Sequence, residues 1–95
     1  MTADGGNIRQ RVIYRGHVQG VCFRAIAREL ARGRRVVGYV RNLPDGSVEL
    51  EAEGPPAEVA ELLHAIERHF AGYIEHTDRM PLPPRGDETR FEIRF

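Results

Sequence analysis

The densest chemical signal in the chain is the run Gly16-His17-Val18-Gln19-Gly20-Val21-Cys22-Phe23-Arg24, where two glycines bracket a short loop between a strand-like and a helix-like segment. Glycine leaves backbone N–H groups unobstructed, and successive N–H groups aimed into one concavity form an anion cradle. No Ser, Thr, Asp or Asn occurs from residue 16 to residue 22. The first amides of the coming helix therefore have no side-chain cap and need an outside acceptor, for which a phosphate is suited. Arg24 falls in the first helical turn, where the helix dipole disfavours a cation by about 0.3–1 kcal/mol unless an anion sits between them.

Other reactive residue types nearby support less. A thiolate phosphatase loop needs several residues between its Cys and its Arg to wrap a phosphate, and only Phe23 separates Cys22 from Arg24. Cys22 is expected to be a small buried or half-buried residue. His17, His64, His69 and His76 include no i, i+4 pair, and there is no second Cys, so no metal site is expected. Asn42, just before Leu43-Pro44-Asp45-Gly46, reads locally as a turn residue.

The elements that must position these groups follow from periodicity. Residues 1–7 show no apolar pattern and read as a disordered tail, leaving 8–95 as a single domain. Val12, Ile13 and Tyr14 mark a first strand ending at Gly16. Phe23, Ile26, Ala27, Leu30 and Ala31 share one helix face, with Arg24, Arg28 and Arg32 in a separate stripe. Residues 36–42 are β-branched and aromatic, the Pro-Asp-Gly turn follows, and 47–53 alternate, with Val48, Leu50 and Ala52 facing a core and Glu49, Glu51 and Glu53 facing water. Pro55 and Pro56 open a second helix, whose buried stripe is Val59, Leu62, Leu63, Ile66 and Phe70. Residues 73–80 lack a clean period and are assigned only as an edge strand, 81–88 read as loop, and Phe91, Ile93 and Phe95 form the buried side of a last strand.

The order β-α-β-β-α-β, with an extra strand before the last, predicts an α+β ferredoxin-like sandwich: an antiparallel sheet of four to five strands with two helices on one face. In that topology the first strand and the strand after the first helix run parallel, so Arg24 and Asn42 meet at one sheet edge.

Charge adds a partial constraint. The 14 basic residues, all Arg, balance 14 acidic ones, which argues against bulk nucleic-acid or membrane affinity. Residues 1–49 carry 9 Arg and 4 acids, and residues 50–95 carry 5 Arg and 10 acids. The absence of Lys excludes a Schiff-base or P-loop lysine. An RNA-binding sheet needs exposed aromatics on its central strands, where this chain has glutamates. The single Cys and the lack of a long apolar run point to a cytoplasmic protein without a membrane span.

Residues 16–24, together with Gly38-Tyr39-Val40-Arg41-Asn42-Leu43-Pro44-Asp45-Gly46-Ser47-Val48-Glu49, resemble the two signature stretches of the acylphosphatases. The likeness extends over residues 11–70 and the last strand, and departs between Gly72 and Asp87. It implies metal-independent hydrolysis of a carboxyl-phosphate anhydride to carboxylate and inorganic phosphate, without a cofactor, by a hydrolase acting on acid anhydrides. Arg24 and the loop residues His17, Val18, Gln19, Gly20 and Val21 would bind the phosphate, and Arg24 and Asn42 would be catalytic, Asn42 placing the attacking water. The partner implied is a small-molecule acyl phosphate, acted on by a monomer. The alternative is a non-catalytic acylphosphatase-like module that binds anions or regulates.

Overall fold

The computed structural model describes residues 6–95, so the tail expected over 1–7 lies, apart from Gly6 and Asn7, outside the described residues. Strand β1 (Ile8–Gly16) leads through the glycine loop to helix α1 (Phe23–Ala31), and β2 (Val37–Asn42) and β3 (Val48–Gly54) form a hairpin. Helix α2 (Pro56–His69), β4 (Ile74–Leu82) and β5 (Phe91–Arg94) complete the order. Hydrogen bonding joins the strands into one five-stranded sheet, β4-β1-β3-β2-β5.

Strand β3 lies between β1 and β2 and runs antiparallel to both, so β1 and β2 are parallel and end at the same edge. The edge strand expected over 73–80 is present as β4, and pairs with β1 from Arg9↔Leu82 to Gly16↔Ile74. It supplies the closing strand of the ferredoxin-like frame, and β5 is the addition. The sheet is mixed, which corrects the antiparallel expectation: β5 pairs parallel with β2, Gly38 opposite Phe91. The reason is the connection. Strand β4 ends beside Arg9, and 83–90 then cross the open sheet face, where the Arg85 and Gly86 amides donate to Glu53. The chain therefore re-enters at the far edge in the direction of β2.

The helix-facing side of the sheet forms the core. Val12, Tyr14, Val40, Val48, Leu50 and Ala52 pack beneath Phe23, Ala27, Ala31 and the α2 stripe Val59, Leu62, Leu63, Ile66 and Phe70. Helix α2 buries the residues its period predicts, while Ile26 and Leu30 of α1 are only partly covered.

The opposite face departs from expectation. Glu49 and Glu53 are 2 % and 3 % exposed, because an ionic layer covers them. Arg9, 1 % exposed, reaches Glu51 at 2.7 Å, Glu53 at 2.9 Å and Glu88 at 2.6 Å. Glu49 accepts from Arg11 at 2.7 Å, Arg41 at 2.6 Å and the Tyr39 hydroxyl at 3.1 Å. Burial pushes the Glu49 carboxyl up, but these donors outweigh it and hold it below the ordinary carboxylate range. Arg9, from the basic half of the chain, is thus neutralised by Glu51, Glu53 and Glu88 of the acidic half.

Candidate active site

The loop after β1 is held at three points. Gly16 has φ of 128°, and a Cβ there would stand 2.4 Å from the Tyr73 carbonyl oxygen, so only glycine lets β1 pass this close to the start of β4. The His17 amide donates to that same carbonyl at 2.9 Å. Val18 drops its side chain into the core. The Gln19 Nε2 then donates to the Leu43 and Ser47 carbonyls, each at 2.8 Å, which ties the loop to the hairpin that carries Asn42.

Beyond the clamp the backbone turns sharply. Gly20 has φ of 80°, and Cys22, the residue before α1, has φ of 62° with ψ of 28°. Among the described residues Cys22 is the non-glycine residue with positive φ, a conformation that costs an L-residue about 1–2 kcal/mol. Cys22 is also exposed rather than buried or half-buried, correcting the earlier expectation, because the left-handed turn swings it to the surface. It provides no cap, and the first turn of α1 holds no acid. From residue 18 to residue 25 no amide donates a backbone hydrogen bond to a described residue, the next being Ile26 to the Cys22 carbonyl at 3.0 Å. Phe23 secures the helix start, its ring stacked on Phe70 with 4.2 Å between centroids and tilted against Tyr14 at 5.0 Å.

Arg24 and Asn42 come together as the topology predicted. Both line a cavity of about 370 Å³ with Gly20, Cys22, Ile93 and Phe95. Arg24, half-buried, forms no ion pair with a described residue; its guanidinium lies 4.7 Å from the centroid of the Phe95 ring. Asn42, also half-buried, makes no side-chain hydrogen bond to a described residue. Phe91 and Ile93 pack against the core as expected of the last strand, and Phe95 departs from that side. It is 97 % exposed, lies just past β5, and faces the cavity instead of the core.

The amides of Val18, Gln19, Gly20 and Val21 donate to no backbone carbonyl of a described residue, and Val18 and Gly20 line the cavity while Gln19 and Val21 do not; the His17 amide is engaged by Tyr73. Sequence reasoning missed the Gln19 side-chain clamp and the Phe95 ring. For Gln19 the signal was available, a lone amide side chain inside an otherwise apolar and glycine-rich loop. For Phe95 none was, since its alternation with Ile93 and Phe91 pointed inward. Among the described residues no group of three His, Cys, Asp or Glu side chains could hold a metal ion.

Within this ferredoxin-like sandwich, loop amides, an arginine and an asparagine without hydrogen-bond or ion-pair partners among the described residues gather at one end of the sheet as a candidate anion site. Comparison with known proteins agrees. The acylphosphatase family model matches residues 10–93. The acylphosphatase of Caldivirga maquilingensis is 41% identical over 93 residues, covering 96% of this chain and 98% of that one. That of Anaeromyxobacter dehalogenans is 43% identical over 91 residues, covering 93% and 96%. The crystal structure of the Bacillus subtilis acylphosphatase superposes with a TM-score of 0.82 at 28% identity, covering 93% of this chain and 99% of that one. The Coxiella burnetii acylphosphatase structure gives 0.83 at 27% identity, covering 99% and 100%. This chain belongs to the acylphosphatase family, and is an enzyme that hydrolyses acyl phosphates.

Proposed function

We propose that the loop amides of Val18, Gln19, Gly20 and Val21 and the guanidinium fork of Arg24 hold the phosphate of an acyl phosphate, and that Asn42 orients the attacking water. His17 anchors the start of this loop through the bond of its amide to Tyr73. Water attacks phosphorus opposite the acyl oxygen, the P–O bond to the acyl group breaks, and the carboxylate departs with the bonding electrons. The water proton passes to a phosphate oxygen. A carboxylate is a good leaving group, so positioning and charge stabilisation are the main demands on the protein. The observation that carries this reading is the convergence of Arg24 and Asn42 on one cavity beside loop amides, all without a hydrogen-bond or ion-pair partner among the described residues.

In this reading the reaction needs no metal or cofactor, and residues 8–95 act as one domain, a monomer in the cytoplasm whose partner is the small-molecule substrate rather than nucleic acid or membrane. Among the described residues, no helix is long and apolar enough to cross a membrane.

The test pairs hydrolysis with binding. Acetyl or benzoyl phosphate should be hydrolysed equally with and without chelator, and a phosphate monoester left untouched. Orthophosphate at ten times its Kd should stabilise the protein by about 1.4 kcal/mol. Asn42→Ala should keep that stabilisation and lose turnover, while Arg24→Ala should lose both. Loss of the phosphate effect in Asn42→Ala would make Asn42 a phosphate ligand and overturn the division of roles.

A further inference from the structure

At the other end of the sheet from the catalytic cavity, where β1, β2 and β5 begin, lies a larger groove of about 930 Å³ that shares no residue with it. Arg28 and Arg32 of α1, Arg34 and Arg35 of the following turn, and Arg90 before β5 line this groove, and no acidic side chain does. The stripe of arginines along α1 therefore connects two different places. Arg24 serves the catalytic cavity, and Arg32 stands two helical turns away, about 12 Å along the axis. A single phosphate cannot reach both.

The carboxylates that meet these arginines approach from outside the groove. Arg32 pairs with Glu29 at 3.1 Å, Arg34 with Glu61 at 3.0 Å, Arg35 with Glu58 at 3.7 Å and Arg90 with Glu92 at 3.7 Å. Two of these pairs, Arg32–Glu29 and Arg90–Glu92, have both partners exposed and the other two have one; such pairs hold their members only weakly, and a guanidinium can exchange one for a phosphate oxygen. Arg28 meets no carboxylate among the described residues. Repulsion by the C-terminus of α1 is muted, since the Glu29, Leu30 and Ala31 carbonyls already accept from Arg32, Arg34 Nε and the Arg34 amide. On the other wall stands Pro55, the residue before α2, whose first turn carries Glu58 outside the groove lining. The floor between these donors is apolar, formed by Ala31, Val36 and Phe91.

We infer that this groove is a second anion site, separate from the catalytic one, that takes a short oligophosphate, either an inorganic chain or the phosphate tail of a nucleoside triphosphate. Five guanidiniums spread along a groove match a ligand with several linked phosphates, whereas a lone orthophosphate engages one or two of them. An inorganic chain uses the arginines alone; a nucleotide also lays its base on the apolar floor.

The experiment is a calorimetric titration of the full chain with tripolyphosphate, ATP, AMP and orthophosphate, on the parent protein and three variants. Arg24→Ala weakens the catalytic loop. Arg28→Gln/Arg32→Gln/Arg90→Gln changes exposed side chains only, and Arg28→Glu is a single reversal at an unpaired position. Tripolyphosphate and ATP should bind Arg24→Ala as they bind the parent, bind the triple variant at least tenfold more weakly, and bind Arg28→Glu at least fivefold more weakly. Acyl phosphate hydrolysis by the last two variants should stay within twofold of the parent. ATP tighter than tripolyphosphate identifies a nucleotide, and equal affinities identify the inorganic chain; either result supports the site. Loss of binding in Arg24→Ala with none in the arginine variants would place the oligophosphate in the catalytic loop and overturn the inference. So would the absence of tripolyphosphate binding at millimolar concentration.

Discussion

Gln19 offers the sharpest test of how the loop is held. Its Nε2 donates to the Leu43 and Ser47 carbonyls at 2.8 Å each, and Gln19→Ala removes both bonds. Two neutral hydrogen bonds contribute about 1–3 kcal/mol. The lower part of that range applies, because neither carbonyl is orphaned: Leu43 O also accepts from Gly46 at 3.1 Å and Ser47 O from Leu43 at 2.9 Å. A loss of about 1–2 kcal/mol in a domain of this size lowers Tm by roughly 4–16 °C. The kinetic consequence should be larger in proportion, since the clamp sets the register between the loop amides and Asn42, and a misplacement of about 1 Å can cost 100-fold in rate. Thermal unfolding and steady-state hydrolysis of benzoyl phosphate measure the two effects separately. The expected pattern is a fall in kcat of tenfold or more with KM changed less, because in the proposed division of roles Arg24 and the amides still bind phosphate. Gln19→Glu should be worse than Gln19→Ala on both counts, as it sets acceptors against two carbonyl oxygens. A Gln19→Ala protein that melts lower yet keeps kcat within twofold would show that the clamp serves stability alone.

Cys22→Gly should raise Tm by a few degrees while keeping hydrolysis, because relief of about 1–2 kcal/mol of left-handed strain exceeds the added chain entropy of about 0.5–1 kcal/mol; a lower Tm would refute the strain. Tyr14→Phe should be stabilising by about 1 kcal/mol in denaturant unfolding, since the Tyr14 hydroxyl is buried without a partner among the described residues and burial pushes its pKa up; destabilisation would mean that the hydroxyl is bonded through water. Glu49→Gln should lower stability at pH 7 and flatten the acid limb of the stability curve. The sign follows from the depressed folded-state pKa: the carboxylate contributes above its unfolded value, about 4.3, and the contribution is lost as pH falls through the folded value below it. An acid limb as steep in Glu49→Gln as in the parent would assign acid sensitivity to other groups.

How much could be read beforehand depended on whether the deciding partner was local. Both helices and the β2–β3 hairpin follow from period and turn chemistry, and the parallel relation of β1 and β2 was enough to bring Arg24 to Asn42. The Glu49, Glu51, Glu53 face was misread because alternation tells which residues share a side, not what covers it. The counter-charges come from Arg9 and Arg11 on β1 and from Arg41 on β2, and Glu53 also accepts from the Arg85 and Gly86 amides of the 83–90 crossing, remote in sequence. That crossing also decides the direction of β5, and with it the place of Phe95 over Arg24. The exposure of Cys22 hangs on one backbone angle, to which composition is blind.

The candidate site gathers three features that are each unfavourable without a ligand: Cys22 in left-handed geometry, amides from residue 18 to 25 without backbone acceptors, and Arg24 at the positive end of α1. The first costs about 1–2 kcal/mol and the last about 0.3–1 kcal/mol. They persist because the loop is fixed on every side, by Val18 in the core, the stack of Phe23 on Phe70, the Gln19 clamp and the Tyr73 carbonyl. A dianion relieves the electrostatic part without any backbone movement, so a site of this kind is preorganised for phosphate before substrate arrives. The same logic requires that orthophosphate, the product, also be held. If the loop amides and Arg24 bind phosphate in substrate and product alike, they cannot by themselves favour the transition state, and uniform binding of this sort lowers KM without raising kcat. In the proposed division of roles the discrimination falls to the group that meets the incoming water, Asn42, and to those Arg24 contacts that strengthen as charge moves onto the departing carboxylate oxygen.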